Sequence, residues 1–235
     1  MAAMDGLVWT KERREPRRRA PSVERFVTRA VAIADAEGVD AVTMRRVAKD
    51  LGSGTASLYR YIAGRDELLD LMIDAVQGEN APPEPSGDWR ADLGVYAGAL
   101  RAVLLRHPWL GAALTGRPAL GPHSLRRYDT VLAAAGTLTP DATLAALAVD
   151  TVTAYVLGSV GGEIAELQAS RRTGMTEDEW RASVSPYIRE VVDGGEYPHF
   201  SRRIIEADDQ PPGRAFEFGL TCVLDGLAAR IPRGT

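Results

Sequence analysis

Residues 43–65, TMRRVAKDLGSGTASLYRYIAGR, gather the side chains best suited to chemistry on a polyanion. Arg45 and Arg60 each carry a planar fork of N–H donors that can bridge O6 and N7 of a guanine. Thr55, Ser57, Tyr59, Arg60 and Tyr61 crowd onto one very short segment as polar or part-polar groups. Thr55 and Ala56 offer methyl groups either to a thymine methyl or simply to close docking, and Tyr59 either contacts a partner or braces the turn. Catalytic chemistry has far less to work with. His107, His123 and His199 lack metal-ligand spacing. No nucleophile–His–carboxylate spacing, Walker loop or dinucleotide fingerprint is present. An enzyme is therefore the competing reading with the least support; no cofactor and no metal are expected.

Two short helices and a tight turn must position those groups. Met44, Val47, Ala48 and Leu51 recur at helical spacing, Thr43 stands where an N-cap is needed, and Leu58 with Ile62 gives the second helix a matching apolar side. Gly52 and Gly54 interrupt the pattern, so one helix ends there and another restarts. A helix this short cannot stand alone. Neighbours must hold it, leaving one side free to enter a DNA major groove. Ser22 caps a preceding helix to Glu37 that carries Val23, Phe26, Val27, Ala30, Ile33 and Ala34, with Gly38 as the stop. After Gly64 a fourth helix carries Leu68, Leu69, Met72, Ile73 and Val76 and links this head to the next domain.

At 235 residues the chain can bury a sizeable core, and its Ala and Leu content with few aromatics favours helices. The net charge of -4 conceals a split. Residues 1–65 hold 13 Lys and Arg against 8 Asp and Glu, while the remainder holds 15 against 24. A basic, DNA-facing head on an acidic body fits that division. Residues 1–21 form a basic arm around Lys11, Arg13, Arg14, Arg17, Arg18 and Arg19, read either as a solvated tail or as an arm adding phosphate or minor-groove contacts. The head spans 22–78, a Pro- and acid-containing break comes at 79–88, and a helical domain runs over 88–235. Cys222, the single cysteine, is expected as a small core residue, with a reactive thiol as the alternative. With no apolar leader and no uninterrupted run of about 18 apolar residues, a soluble, cytoplasmic setting and no membrane partner are expected.

In the second domain Leu93, Ala97, Leu100 and Leu104 mark a long helix ending before Pro108, a short helix covers Trp109 to Thr115, and Leu125, Tyr128, Val131 and Leu132 resume the spacing. Thr139 and Pro140 read as a cap and helix start. From there an unusually apolar helix reaches about Leu167; Gly158, Gly161 and Gly162 inside it permit a close approach between subunits or beside a ligand, or a kink. Trp180, Val184, Tyr187, Ile188 and Val191 suggest another amphipathic helix. Phe200, Ile204 and Ile205 suggest a short one, and Phe216, Leu220, Val223, Leu224 and Leu227 a final apolar stripe. No alternation typical of strands appears, so the fold class is all-α.

The segment from Ser22 to Val76, through TMRRVAKDLGSGTASLYRYI and RDELLDLMIDAV, resembles the DNA-binding domain of the TetR family of bacterial transcriptional repressors. ALRAVLLRHPWLGAAL (99–114), GRPALGP (116–122), AYVLGSVGGE (154–163) and FEFGLTCVLDGLA (216–228) are similar to the regulatory domain of its tetracycline-repressor subgroup. The resemblance implies a homodimer whose two heads bind successive major grooves of a palindromic operator until a small molecule releases them. It places Thr43, Thr55, Ser57, Tyr59, Tyr61 and Arg65 at positions that hold the DNA backbone, with Arg45 and Arg60 reading bases. It also implies a four-helix dimer interface, with Gly158, Gly162, Phe216, Leu220, Val223, Leu224 and Leu227 as candidates. An activator or architectural DNA-binding protein using the same head is the second reading.

Trp109, Leu114, Tyr128, Tyr155, Trp180 and Tyr187 are candidate walls of a ligand pocket, each alternatively a core or interface residue. Asp150, in an otherwise apolar helix, faces the pocket, pairs with an arginine or lies on an exposed strip. The subgroup's magnesium–tetracycline histidine has no counterpart here: the matching segment offers Ala113, with Gly116 before Arg117 and Pro118. An apolar or aromatic effector is therefore expected in place of tetracycline.

Overall fold

The computed structural model describes residues 8–10, 22–116 and 119–231. Those residues form an all-α chain in which local capping chemistry sets most helix starts. Ser22 accepts the Arg25 amide before α1 (Val23–Glu37), and Thr43 accepts the Arg46 amide before α2 (Met44–Asp50). Gly52, at φ +62°, supplies the left-handed turn that separates α2 from α3 (Thr55–Tyr59). The fourth helix is α4 (Arg65–Gln77). Phe26, Ile33, Val47, Leu58, Ile62, Leu68 and Met72 meet in the middle of these four helices, buried essentially completely. The five-residue α3 is thus held by Leu58 and Ile62 and by its packing on α2.

The body is a bundle of α5 (Trp89–Arg106), α7 (Pro122–Gly136), α8 (Ala142–Thr173) and α11 (Pro212–Arg230), with the short α6 (Leu110–Leu114) between α5 and α7 in the chain. Asp141, not Thr139, caps α8: its carboxylate accepts the amides of Thr143 and Leu144, and the Thr139 hydroxyl accepts the Asp141 amide. A carboxylate at the positive end of a 32-residue helix outcompetes the Thr–Pro start expected from sequence. α8 runs as one continuous helix to Thr173, where Gly174 at φ +70° stops it. By length and composition α8 could cross a membrane. Its Ala145, Ala148, Val149, Val152, Val156 and Val160 are instead buried, and the helix packs on α5, α7 and α11. Arg101 ties α5 to α8 through Glu163 (2.7 Å) with its guanidinium 5.2 Å from the Phe216 ring.

α9 (Glu177–Asp193) and α10 (Pro198–Glu206) pack on each other and bury none of their residues. A capping box between Thr176 and Glu179 starts α9.

Two of the polar joints between head and body are built on aspartates of the head. Asp74 of α4, buried, accepts the amides of His123 and Ser124 and the Ser124 hydroxyl, so it caps the N-terminus of α7. A Cβ at Gly121 would collide with that carboxylate, which is why glycine precedes α7. At the second joint Asp35 of α1 accepts the Trp109 indole N–H at 2.7 Å and lies 2.7 Å from Nδ1 of the buried His107. Nε2 of His107 is 3.1 Å from Glu79, which also pairs with Arg106.

Candidate nucleic-acid interface and small-molecule cavity

The outward side of the α2–α3 unit holds most of the groups expected there. Arg45, Ala56, Tyr59 and Arg60 are exposed, as is the capping Thr43; Thr55, Ser57 and Tyr61 are half-buried. Arg45 makes no hydrogen bond or ion pair among the described residues, so its guanidinium fork is free. Arg60 rests against its own helix, donating to the Ser57 hydroxyl at 3.0 Å with its guanidinium 5.9 Å from the Tyr61 ring. Arg65 is differently placed: it donates to the carbonyls of Val42 (3.2 Å) and Val39 (3.0 Å) and lies 3.6 Å from Asp40. It thereby braces the turn between α1 and α2. Arg46 is spent in a similar way on Glu37 and Asp50, and Arg29 also holds Asp50. These ion pairs keep the Asp50 carboxyl below its ordinary range, through the Arg29 hydrogen bond first. The basic arm's Lys11 to Arg19 lie outside the described residues. Within 1–21 only Val8–Thr10 is described, a 3-10 turn whose Val8 and Trp9 pack against the core.

A cavity of about 320 Å³ lies between the 82–86 connection, α5 and α7. Pro82, Pro83, Pro85, Val95, Ala99, Val131 and Ala134 make its apolar walls, with Tyr96, Arg127, Thr130, Glu84, Ser86 and Asp92 as polar lining. Tyr96 shares a 2.9 Å hydrogen bond with Thr153 of α8. Arg127 donates to the carbonyls of Gln77 (2.9 Å) and Asn80 (3.0 Å), where α4 ends. Burial pushes the Tyr96 phenol up and pulls the Arg127 guanidinium down from their ordinary values. The Asp92 carboxyl is held below its ordinary value, chiefly because it accepts the Ser86 amide.

None of the seven residues singled out from sequence as ligand contacts lines this cavity. Trp109 is buried in the α1 joint, and Leu114 is packed against the core. Tyr155 is committed to the Phe216 carbonyl at 2.7 Å. Tyr128 and Asp150 are exposed on the body, and Trp180 and Tyr187 on α9. Sequence reading missed Arg127 and Tyr96, although Ser124, Arg127, Val131 and Ala134 follow the i, i+3, i+7, i+10 spacing of one buried face.

The final helix also departs from expectation. Phe216 and Leu224 are buried in the chain's own core, and Leu220, Val223 and Leu227 are half-buried against it. What α11 turns outward is Phe218, 73% exposed, with Cys222. Cys222 is thus a surface thiol and not a core residue, because it falls between the inward positions of the stripe. On α8 a Cβ added at Gly158, Gly161 or Gly162 would meet open space, so these glycines lie on the outer face of the bundle.

Residues 27–72 match the family described as bacterial regulatory proteins, tetR family, and residues 81–231 match the tetracyclin repressor-like C-terminal domain. The chain belongs to the TetR family. It is 41% identical over 233 residues to the HTH-type transcriptional repressor DrrR1 of Streptomyces coeruleorubidus, covering 96% of this chain and 84% of that one. To the class A tetracycline repressor of Escherichia coli it is 30% identical, covering 82% and 84%. Among solved structures, Streptomyces coelicolor ActR in complex with actinorhodin superposes with a TM-score of 0.72 at 28% identity, covering 92% of this chain and 99% of that one. ActR in complex with (S)-DNPA gives 0.70 at 30%, covering 91% and 100%. This TetR-family chain is a transcriptional regulator acting as a homodimer on operator DNA.

Proposed function

We propose that the protein is a repressor whose two heads occupy successive major grooves of a palindromic operator and let go when a small apolar or aromatic molecule fills the α5–α7 cavity. One observation carries this reading: α4 belongs to the head through Leu68 and Met72, yet ends on Arg127 in the cavity wall. A ligand there acts on the helix that carries the DNA-binding unit. Binding must favour the dimer with misplaced heads, since a ligand indifferent to head position cannot switch anything. That ActR is solved with actinorhodin and with (S)-DNPA supports a small-molecule effector here.

In this reading Arg45 reads a guanine, Arg60 leaves Ser57 to do the same, and Thr43, Thr55, Ser57, Tyr59 and Tyr61 hold phosphates. Arg65 works indirectly, by fixing the entry to α2. The dimer forms through the outer faces of α8 and α11, where Gly158 and Gly162 admit a close approach and Phe218 supplies apolar area. An unbiased duplex selection followed by binding of the selected site tests the head: Arg45→Ala is expected to weaken the selected duplex by about 1–3 kcal/mol while leaving random duplex nearly unchanged. Equal loss on both would reduce Arg45 to a phosphate contact. Transcription of a reporter behind the selected site, with and without the protein, separates repression from activation.

A further inference from the structure

Taking the cavity as the effector site, as proposed above, we infer that the effector is an aromatic acid of two or three fused rings whose anionic oxygen is received by Arg127. Arg127 is only 8% exposed. Its Nη2 serves the Gln77 and Asn80 carbonyls, but its Nε is shielded from solvent and has no hydrogen-bond partner. Nor does Arg127 form an ion pair with any carboxylate among the described residues. The contrast with its neighbours is direct: Arg90 pairs with Asp225, Arg101 with Glu163 and Arg106 with Glu79. A buried cation without a counter-charge is costly, and an N–H left unmade in a dry wall adds to that cost. An anion arriving in the cavity supplies the missing counter-charge.

The rest of the lining sets how such a molecule sits. Glu84 and Asp92 stand on the same lining, and the Asp92 carboxylate already receives the Ser86 amide at 3.0 Å on both oxygens. That region repels a second anion, so the acid is directed to Arg127 and the rings lie between Val95, Ala99, Val131 and Ala134. The volume of about 320 Å³ is at the small end for ligand sites, which limits the ring system. Because Arg127 also holds the carbonyls that end α4, an oxygen that recruits its guanidinium changes its grip on the helix leading to the head.

The test uses the full chain with anthraquinone-2-carboxylate, its methyl ester and its carboxamide as probes, read by calorimetry and by release of the selected operator duplex. The acid is expected to bind about tenfold more tightly than either neutral probe, the scale of one charge-assisted contact, and to release operator at correspondingly lower concentration. In Arg127→Met the three probes should approach parity; Arg127→Lys should retain part of the preference, and Ala134→Trp should abolish binding of all three. Equal affinities in the unaltered protein, no binding of any probe, or an acid preference that survives Arg127→Met or Ala134→Trp would overturn the inference. The comparison of acid and ester in the unaltered protein stands even if Arg127→Met fails to fold. If a neutral or cationic molecule releases operator and Ala134→Trp blocks that release, the inference fails while the cavity keeps its role; if Ala134→Trp leaves every release unchanged, the cavity reading itself fails.

Discussion

The DNA-binding head and the α9–α10 arm are built from similar amphipathic helices, yet one is finished within a single chain and the other is not. In the head, Phe26, Leu58, Ile62, Leu68 and Met72 are fully buried around a five-residue helix too short to persist alone. Along the arm, Trp180 is 55% and Tyr187 67% exposed, with Phe200, Ile204 and Ile205 also open to solvent. Large apolar side chains left open on two helices that pack together mark a surface meant to be covered. We propose that the second subunit of the homodimer is its cover. The head's order is therefore intrinsic, whereas the arm's depends on association.

Substitutions can break that contrast from either side. The largest effect is expected in the head: Leu58→Ala should cost about 2–5 kcal/mol of stability and abolish operator binding, because the cavity it leaves lies directly beneath α3. Thermal unfolding and duplex binding both report it. Next come two phenylalanines two residues apart on α11. Phe216→Glu should unfold the body, while Phe218→Glu should leave the monomer folded and raise the dimer dissociation constant by roughly two orders of magnitude, the scale of an interface hot spot. Sedimentation distinguishes them; a Phe218→Glu protein that remains dimeric at nanomolar concentration would move the interface away from the outer face of α11. Smaller still is the arm itself. Trp180→Ser with Tyr187→Ser should leave helix content and head stability unchanged but weaken dimerisation, and a drop in the unfolding temperature of the isolated subunit would mean that the arm packs on its own chain.

The same contrast explains what could be read from residue order. Helix spacing and caps are local, so Thr43, Leu58, Ile62 and the Gly52 turn disclosed the head almost completely, and Gly38 marked a stop where a helix does end. Which body an apolar stripe meets is not local. The family resemblance makes Phe216 and Leu224 interface candidates, whereas the packing of α11 on α8 and α5 turns them inward and leaves Phe218 outside. Aromatic residues misled for a related reason. Trp109 has the bulk of a pocket wall, but its indole N–H is spent on Asp35, a partner 74 positions away that no spacing rule connects to it. The cavity drew on a proline connection that sequence marked only as a boundary, and on an arginine whose buried face was visible in its spacing but whose charge argued for the surface.

The smallest expected effect concerns acid, and it too separates the two regions. In the head, Asp50 is held below the usual carboxylate range by Arg29 first and then Arg46; in the arm region, Asp209 is held below it by Arg203 and Arg181. A carboxylate whose folded pKa is depressed adds stability that is complete above its unfolded value near 4 and disappears as pH falls through the folded one. Both groups are solvent-exposed, so each contributes little. They differ in what their loss exposes: protonating Asp50 frees Arg29 and Arg46 beside α2, whereas protonating Asp209 loosens only the connection that comes after α10. Arg29→Ala should therefore move the acid transition of operator binding to slightly higher pH, while Arg203→Ala leaves it in place. Measuring duplex affinity between pH 6 and about 4 at fixed salt decides the point; coincident shifts in the two variants would mean that arm and head unfold together in acid, and that the contrast between them holds only near neutrality.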